Sequence, residues 1–328
     1  MTEERRDDRW FWVALAGIVA IGAWLRFRLL GVPSLWLDEL LNYDIVTAAA
    51  RQPWEAWLVG FEVENGPLYY ALQLASRVVT DVELSSRLAP AVVGTTTVAL
   101  IGVLGRRISI TVGLVAAILA AVSPLHVYYS REGRAYALLM LFATLILFAL
   151  VDERVRRPAA ISIAALVGAA LTAATAAPLI VAAGATAVLR LPFSRRRGGD
   201  LATLAGAAAG IGILALHYLK YDRPKPALGM PPVDFELIAK IVNGFTVTAF
   251  ESPMGGLLPW TLVAVAFVGA IAILRRDRAT GVALASMTLL PIVVTIVALS
   301  VMRHWFSIRY VSFALPPFLL LVAIGVES

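Results

Sequence analysis

Cysteine is absent from the 328 residues, and only three histidines are present. A disulfide framework and thiolate chemistry are therefore excluded. The histidines, His126, His217 and His304, are far apart and lack zinc-ligand spacing, and a lone histidine is usually structural. The sequence also lacks a Walker loop and a GxGxxG loop after a strand, so no nucleotide site is expected.

Charge is scarce, because only 15% of the residues are charged while 60% are hydrophobic, against about 25% and 45–50% in soluble domains. The apolar residues form long blocks, and about 20 such residues span a bilayer as a helix. The blocks are Phe11–Leu30, Leu88–Leu104, Val112–Tyr128, Tyr136–Val151, Ala159–Ala176, Ala177–Leu191, Leu201–Leu219, Leu257–Leu274, Val282–Met302 and Tyr310–Val326. They predict an all-α polytopic membrane protein with about ten transmembrane helices, in a single domain over residues 1–328.

The net charge of +6 arises from arginine clusters between these blocks. The clusters fall in alternate loops, together with the N-terminus, as the positive-inside rule requires. We therefore expect both termini in the cytoplasm of an inner (plasma) membrane protein, and no nucleic-acid partner. The first block lacks a small-residue cleavage site after it, which predicts an uncleaved anchor.

Two substantial loops are predicted on the outer side, at about residues 31–87 and 220–256. Each contains apolar residues at helical spacing, which is typical of amphipathic helices that lie on a membrane surface. In the second loop, Asp234 is placed to cap such a helix. The predicted apolar stripe of the first loop is Leu37, Leu41, Ile45 and Ala48. Helices of this kind would cover a cavity that opens to lipid.

Two adjacent carboxylates, Asp38 and Glu39, follow the first span. Acids stabilise a helix N-terminus through the macrodipole, which would explain the pair without a catalytic role. A carboxylate at the membrane boundary is equally suited to act as a general base or a metal ligand. Ionisable groups near membrane depth are usually functional, so both readings stay open.

The segment Ser123–Tyr136 joins two predicted spans on the outer side, where arginine is disfavoured. Arg131 and Arg134 either pair with nearby acids or bind a phosphate, for which the guanidinium fork is suited. Glu132 is a candidate for holding a divalent cation or the acceptor, or for an ion pair with these arginines. His126 is a weaker candidate for an acceptor or metal role.

Further outer charges complete the candidate set. Lys220, Arg303 and Arg309 either anchor the chain at the interface by snorkelling or form a second phosphate-binding group. Glu64 is an additional acid in the first outer loop that could bind an acceptor or a metal, or be simply solvated.

Four stretches together resemble the membrane-embedded GT-C glycosyltransferases, in particular the family-39-like group of protein O-mannosyltransferases and aminoarabinose transferases. They are Leu35–Glu39, Asn65–Tyr70, Ser86–Arg107 and Ser123–Tyr136. The second is similar to the family segment "H-P-P-L-Y-Y" and the fourth to "S-P-x-x-x-x-Y-S-Q-E-A-R-x-Y". The chain departs from these patterns at Asn65-Gly66, where the family has His-Pro, and at Arg131, where it has Gln.

The resemblance implies transfer of a sugar from a polyprenyl-phosphate carrier to an acceptor hydroxyl at the outer face. Asp38 would be the general base, and Arg131, Arg134 and Arg309 would stabilise the leaving phosphate. Glu39 and Glu132 would position the acceptor or hold a Mg²⁺ or Mn²⁺ ion. The sugar, which in part of the family is mannose, and the acceptor are not defined by these motifs.

Two other functions fit the same residues. A transporter or flippase of a lipid-linked or anionic substrate also has many spans, although such proteins place ionisable groups near the bilayer midplane. A non-catalytic protein that only binds polyprenyl phosphate would need the arginines but not Asp38.

Overall fold

The apolar blocks fold as helices. A computed structural model describes residues 3–51, 65–151, 157–195, 197–220, 231–248 and 256–328. The α-helices, numbered in chain order, are α1 (Glu3–Phe27), α2 (Leu37–Arg51), α3 (Pro67–Ser76), α4 (Val82–Arg106), α5 (Ile110–Val122), α6 (Pro124–Ser130), α7 (Tyr136–Val151), α8 (Pro158–Thr172), α9 (Ala177–Arg190), α10 (Arg197–Lys220), α11 (Phe235–Asn243), α12 (Leu258–Arg276), α13 (Arg278–Met302) and α14 (Leu315–Glu327). Shorter helical turns are Ala174–Ala176, Gly244–Thr248 and Ile308–Ala314.

Six helical segments in the described part of the chain are long and apolar enough to cross a membrane, which makes this an integral membrane protein. They are Arg9–Phe27, Val82–Arg106, Arg197–Leu219, Leu258–Arg276, Arg278–Met302 and Ile308–Glu327. A seventh is obtained if α5 and α6, which meet at a 59° bend, form one broken span.

The structure does not confirm that all of the about ten predicted spans are long enough to cross a membrane. The remaining three blocks form the apolar helices Tyr136–Val151, Pro158–Thr172 and Ala174–Arg190, which are shorter than the six. At 1.5 Å per residue the 16 residues of α7 extend about 24 Å, less than the roughly 30 Å of a hydrocarbon core. The six long segments and the three shorter helices are all apolar, and they differ in helix length.

The centre of the molecule is built by α7 and α14. Side chains from all around α7 are buried, including Leu139, Ile146 and Leu147, and α14 is buried over most of its length. α14 packs very closely on α12 at two glycines. A Cβ atom on Gly269 would lie 2.0 Å from the carbonyl oxygen of Leu321, and one on Gly325 would lie 2.0 Å from that of Val265. Small residues permit this approach of two backbones.

Helices α2, α3 and α11 lie outside the spanning set, where the sequence predicts amphipathic helices. Asp234 caps α11 by accepting a hydrogen bond from the backbone N–H of Leu237 at 3.0 Å, as predicted. The predicted stripe of α2 faces outward at Leu37 and Leu41, which are 67% and 54% exposed. The face of α2 that packs on the protein carries the polar residues Glu39 and Asn42 together with Val46, which is buried in the apolar core.

Candidate active site

Asp38 lies in the first turn of α2 and faces two arginines from distant parts of the chain. Its Oδ2 atom is 3.1 Å from Nη1 of Arg309 and 3.7 Å from Nη1 of Arg134. The Asp38 side chain keeps 25% of its surface exposed, whereas those of Arg309 and Arg134 keep 15% and 4%. The structure thus brings together three predicted site residues, with the carboxylate as the most accessible member.

Glu39 is the neighbour of Asp38 in sequence but is fully enclosed. Arg87 of α4 donates from Nη2 to Oε2 at 2.6 Å and from Nε to Oε1 at 2.9 Å. The backbone N–H groups of Gly133, at 2.7 Å, and Trp36, at 3.4 Å, also donate to this carboxylate. Both oxygens are therefore occupied, and Glu39 holds the start of α2 against α4 and the loop before α7.

Glu132 lies in that loop and is 5% exposed. Burial raises the pKa of its carboxyl to about 8, although the neighbouring Arg134 and Arg309 act in the opposite direction. Within the described residues its Oε2 atom has no hydrogen-bond partner. Glu132 therefore holds its proton at neutral pH, beside the two arginines that face Asp38.

Arg131 and Arg303 are not brought to Asp38. Nη1 of Arg131 donates to the carbonyl oxygen of Leu25 at 2.9 Å, and burial together with Arg28 and Arg87 lowers the pKa of its guanidinium. Arg303 is an exposed residue in the left-handed conformation, with φ 51°, at the end of α13. The side chain of Lys220 and the whole of Glu64 lie outside the described residues.

His126 is buried in a separate contact with Arg26 of α1. Nη2 of Arg26 contacts Nδ1 of His126, and Arg26 also donates to the carbonyl oxygens of Gly22 and Ala120 at 2.8 and 3.1 Å. No hydrogen bond links His126 to Asp38 among the described residues. The only sequence signal for this pair is a charged residue near the end of the first apolar block.

A polar network supports the loop before α7, and sequence reasoning did not identify it. Asn42 donates to the carbonyl oxygen of Gly133 at 3.3 Å and accepts from Nδ2 of Asn65 at 2.9 Å. The Tyr69 hydroxyl donates to the same carbonyl oxygen and accepts from Gln73 at 3.1 Å. The available signal is the polar pair Tyr69 and Gln73, which lie four residues apart on the mostly apolar helix α3.

A cavity of about 430 Å³ opens beside Arg309. Its walls come mainly from α9, α13 and residues 304–310, and most of the lining side chains are apolar, for example Val181, Val294 and Leu299. Arg309 therefore stands between this cavity, called here the site-face cavity, and Asp38.

No group of three or more histidine, aspartate or glutamate side chains that would suit a metal ion occurs in the described residues. Asp38 and Glu132 bring two carboxyl groups to the site, but Arg134 and Arg309 lie beside them. Two cations there oppose the binding of a third. The described residues at this site therefore do not fit a divalent cation.

The fold is similar to that of solved membrane proteins of the GT-C class, as the sequence predicts. ArnT from Cupriavidus metallidurans in the apo state matches with a TM-score of 0.66 at 14% identity, over 96% of this chain and 59% of ArnT. ArnT bound to undecaprenyl phosphate gives 0.65 at 14%, over 96% and 60%. The archaeal oligosaccharyltransferase AglB from Archaeoglobus fulgidus, in complex with an inhibitory peptide and a dolichol-phosphate, gives 0.59 at 13%, over 97% and 50%.

The chain thus spans about half to three-fifths of the length of these proteins. No protein-family model matches the sequence, and no curated protein does. At this level of identity the comparison defines a fold, that of the GT-C class.

Proposed function

We propose that this protein transfers a sugar from a polyprenyl-phosphate carrier to an acceptor hydroxyl, with Asp38 as the general base. The observation that carries the proposal is the position of Arg309, which pairs with Asp38 at 3.1 Å and also lines an apolar cavity of about 430 Å³. A polyprenyl-phosphate sugar has an apolar chain, then a phosphate, then a sugar. This order matches the order of the cavity, Arg309 and Asp38.

The donor side of the site is supported by its chemistry. An apolar cavity between helices accepts a hydrocarbon chain, and Arg309 and Arg134 are placed to bind a phosphate at its end. Two proteins of similar fold have been solved with undecaprenyl phosphate and with dolichol-phosphate. We therefore propose a polyprenyl-phosphate-linked donor for this chain, without specifying the sugar.

The proposed reaction is an in-line displacement at the anomeric carbon. The acceptor oxygen forms a bond to that carbon while the bond to the phosphate oxygen breaks, and the electron pair leaves on the phosphate. Asp38 accepts the proton of the acceptor hydroxyl, for which its partial exposure leaves access. Arg134 and Arg309 stabilise the negative charge that grows on the phosphate.

Glu39 and Glu132 have different parts in this proposal. Because Glu39 is saturated by Arg87, Gly133 and Trp36, we assign it a positioning role that fixes the direction of Asp38. Glu132 keeps a proton beside the arginines and so adds no second negative charge where the phosphate binds. We do not include Arg131 or Arg303 in the phosphate-binding pair.

The test is transfer of labelled sugar from a panel of polyprenyl-phosphate donors in membranes that contain the wild type or Asp38→Asn. We expect Asp38→Asn to lower transfer by about 10²–10⁴-fold, as for loss of a general base. Asp44→Asn is the matched control, because Asp44 is an exposed acid on the same helix. This variant should transfer at the wild-type rate.

Three results would contradict the proposal. Equal transfer by wild type and Asp38→Asn would remove Asp38 from the mechanism. Binding of donor without transfer, over a broad set of acceptors, would indicate a non-catalytic carrier-binding protein. Movement of donor across the bilayer without transfer would indicate a flippase.

A further inference from the structure

A second cavity lies at the opposite end of α13 from the site-face cavity. Residues 278–280, at the start of α13, line this second cavity, whereas Val294 to Met302, near its end, line the first. The helix has 25 residues and so extends about 37 Å at 1.5 Å per residue. The second cavity, called here the far-side cavity, is therefore on the other face of the molecule from Asp38.

The far-side cavity has a volume of about 430 Å³ and a strongly basic lining. Among the described residues, the arginines that line it are Arg190, Arg195, Arg276 and Arg278, and the one lining carboxylate is Asp277. They come from the end of α9, the loop that follows it and the turn between α12 and α13. Separate elements thus direct positive charge at one concave surface.

Two of these charged residues, Arg190 and Asp277, already make structural hydrogen bonds within the protein. Arg190 donates to Asp200 at 2.6 Å and to the carbonyl oxygen of Ala279 at 3.0 Å. Asp277 caps α13 by accepting from the backbone of Ala279 at 3.0 Å and from the Thr280 hydroxyl at 2.6 Å. Neither group needs a ligand.

Three arginines remain. Arg195, Arg276 and Arg278 are exposed, and the described residues give none of them an ion-pair partner. The positive-inside rule accounts for their side of the membrane, since loops on that side collect arginine. It does not account for their convergence on a cavity, because exposed loop arginines satisfy the rule wherever they point.

The cavity wall also contains an apolar part. Leu150, Val151 and Pro158 line it together with Phe193, which is 43% exposed. Guanidinium groups bind phosphate oxygens, and basic pockets between membrane helices bind phospholipid headgroups. A ligand that matches both parts has a phosphate beside an apolar portion, and the adjacent membrane leaflet supplies such molecules.

We propose that the far-side cavity binds the phosphate-bearing headgroup of an anionic phospholipid. The site is separate from the Asp38 site, and the proposal does not depend on glycosyl transfer. Arg195, Arg276 and Arg278 contact the phosphate oxygens, while the apolar wall contacts the glycerol end of the lipid.

The experiment compares two triple variants that lose the same charge. One is Arg195→Gln/Arg276→Gln/Arg278→Gln, within the cavity, and the other is Arg157→Gln/Arg197→Gln/Arg275→Gln, at exposed arginines that do not line it. Purified full-length protein is incubated with mixed micelles that contain phosphatidylglycerol or cardiolipin, with phosphatidylcholine as the neutral reference. Retained lipid is counted by native mass spectrometry.

We expect the cavity triple to lose anionic lipid by at least about tenfold and the control triple to change by less than about twofold, with no change in phosphatidylcholine. Equal loss in both triples would show diffuse surface attraction and overturn the proposal, and so would no loss in either. Displacement of the lipid by millimolar inorganic phosphate would assign the cavity to a soluble anion instead.

Folding is checked by gel filtration and by the thermal unfolding midpoint of each variant. If the cavity triple does not fold, Arg195→Gln alone, which changes one exposed loop residue, takes its place. We expect it to lower lipid retention by about fivefold, the effect of one interfacial arginine. Retention equal to wild type in this variant would overturn the proposal.

Discussion

Asp38 and Glu39 are adjacent in the chain, yet they differ in what they can do. Successive side chains on a helix point about 100° apart, so α2 directs Glu39 into Arg87 and leaves Asp38 beside Arg309 and Arg134. A carboxylate with both oxygens occupied cannot accept a further hydrogen bond easily, whereas one that remains partly exposed can. Contacts with distant residues therefore give Asp38 and Glu39 different environments, which the dipeptide sequence alone does not predict.

Arg309 and Arg303 test the proposed phosphate-binding pair. Arg309→Gln should lower the proposed sugar transfer by about 10²–10³-fold, because it would remove a preorganised cation from the proposed leaving group. Arg303→Gln should lower it by less than about tenfold, since Arg303 is exposed and lies outside the Asp38 pair. The measurement is initial rate at saturating donor, and equal losses would contradict the assignment.

Glu132 predicts a pH dependence of stability. Its folded pKa is raised from 4.5 to about 8, so between these values the folded protein holds a proton that the unfolded chain has released. Stability from this group is therefore fully present below about pH 4.5 and falls as pH rises to about pH 8, by up to about 1.4 kcal/mol per pH unit.

Thermal unfolding midpoints across that pH range test the prediction. Glu132→Gln should flatten the decline, because the amide cannot release a proton. Glu236→Gln, at an exposed glutamate of α11, should leave the slope as it is in wild type. A slope unchanged in Glu132→Gln would show that other groups cause it.

The sequence predicted Asp38, Arg134 and Arg309 as site residues, but not their grouping without the family resemblance. Arg309 is 271 positions from Asp38, and no local pattern specifies a contact over that separation. Arg87 was not predicted as a partner of Glu39, because it directly precedes the apolar block Leu88–Leu104 and lies 48 positions from Glu39. The roles of Arg131 and Arg134 could not be separated, since only the course of the loop directs one to Leu25 and the other to Asp38.

At the scale of helices, the buried Glu39–Arg87 pair is the main tie between α2 and α4. Arg87→Ala leaves Glu39 buried without its cation and should cost about 3–5 kcal/mol of unfolding free energy. The comparison is Lys240→Ala, which breaks the exposed Lys240–Glu236 pair of α11 and should cost at most about 1 kcal/mol. Similar unfolding midpoints for these two variants would contradict the assigned role of the buried pair.

The contact of α12 with α14 gives a second test at this scale. Gly269→Ala places a methyl group 2.0 Å from the Leu321 carbonyl oxygen, so the helices must separate. We expect a loss of about 1–3 kcal/mol, the usual cost of overpacking. Gly212→Ala is the control, because a Cβ there meets nothing within 4 Å, and its unfolding midpoint should be equal or slightly higher.

Helix existence could be predicted well from the sequence because long apolar blocks have few alternatives in a membrane. Helix length could not, since α7 ends after 16 residues and α8 after 15, both short of a full span. Two members of the predicted α2 stripe, Leu37 and Leu41, are exposed. What the polar face of α2 contacts depends on Arg87, Asn65 and Gly133, which come from other elements.

Over the whole molecule, charge and cavities divide between two faces. Asp38 with its two arginines belongs to the site face, and the far-side cavity belongs to the other. The sequence predicts that the site face is outside the cell and that the arginine-rich turns are inside. A reaction at one face and a lipid contact at the other would then take place in different leaflets.

The absence of cysteine makes this orientation directly measurable. Val32→Cys, 72% exposed just before α2, should react with a membrane-impermeant thiol reagent added to intact cells. Gly198→Cys, in open space at the start of α10, should react only after permeabilisation. The opposite labelling pattern would show that the topology is the reverse of the predicted one. Labelling of both cysteines in intact cells would contradict the placement of these two positions on opposite sides of the membrane.

One consequence follows from the outward leucines of α2. Leu37 and Leu41 are exposed on the same first turns that carry Asp38, so the depth to which they sink into the headgroup layer sets the height of the carboxylate above the bilayer centre. The sugar of a lipid carrier has a height of its own, fixed by the length of the surrounding acyl chains. Turnover should then depend on membrane thickness, with an optimum at the acyl-chain length that brings the two heights together. The host's lipid composition would act as a rate control without any regulatory ligand.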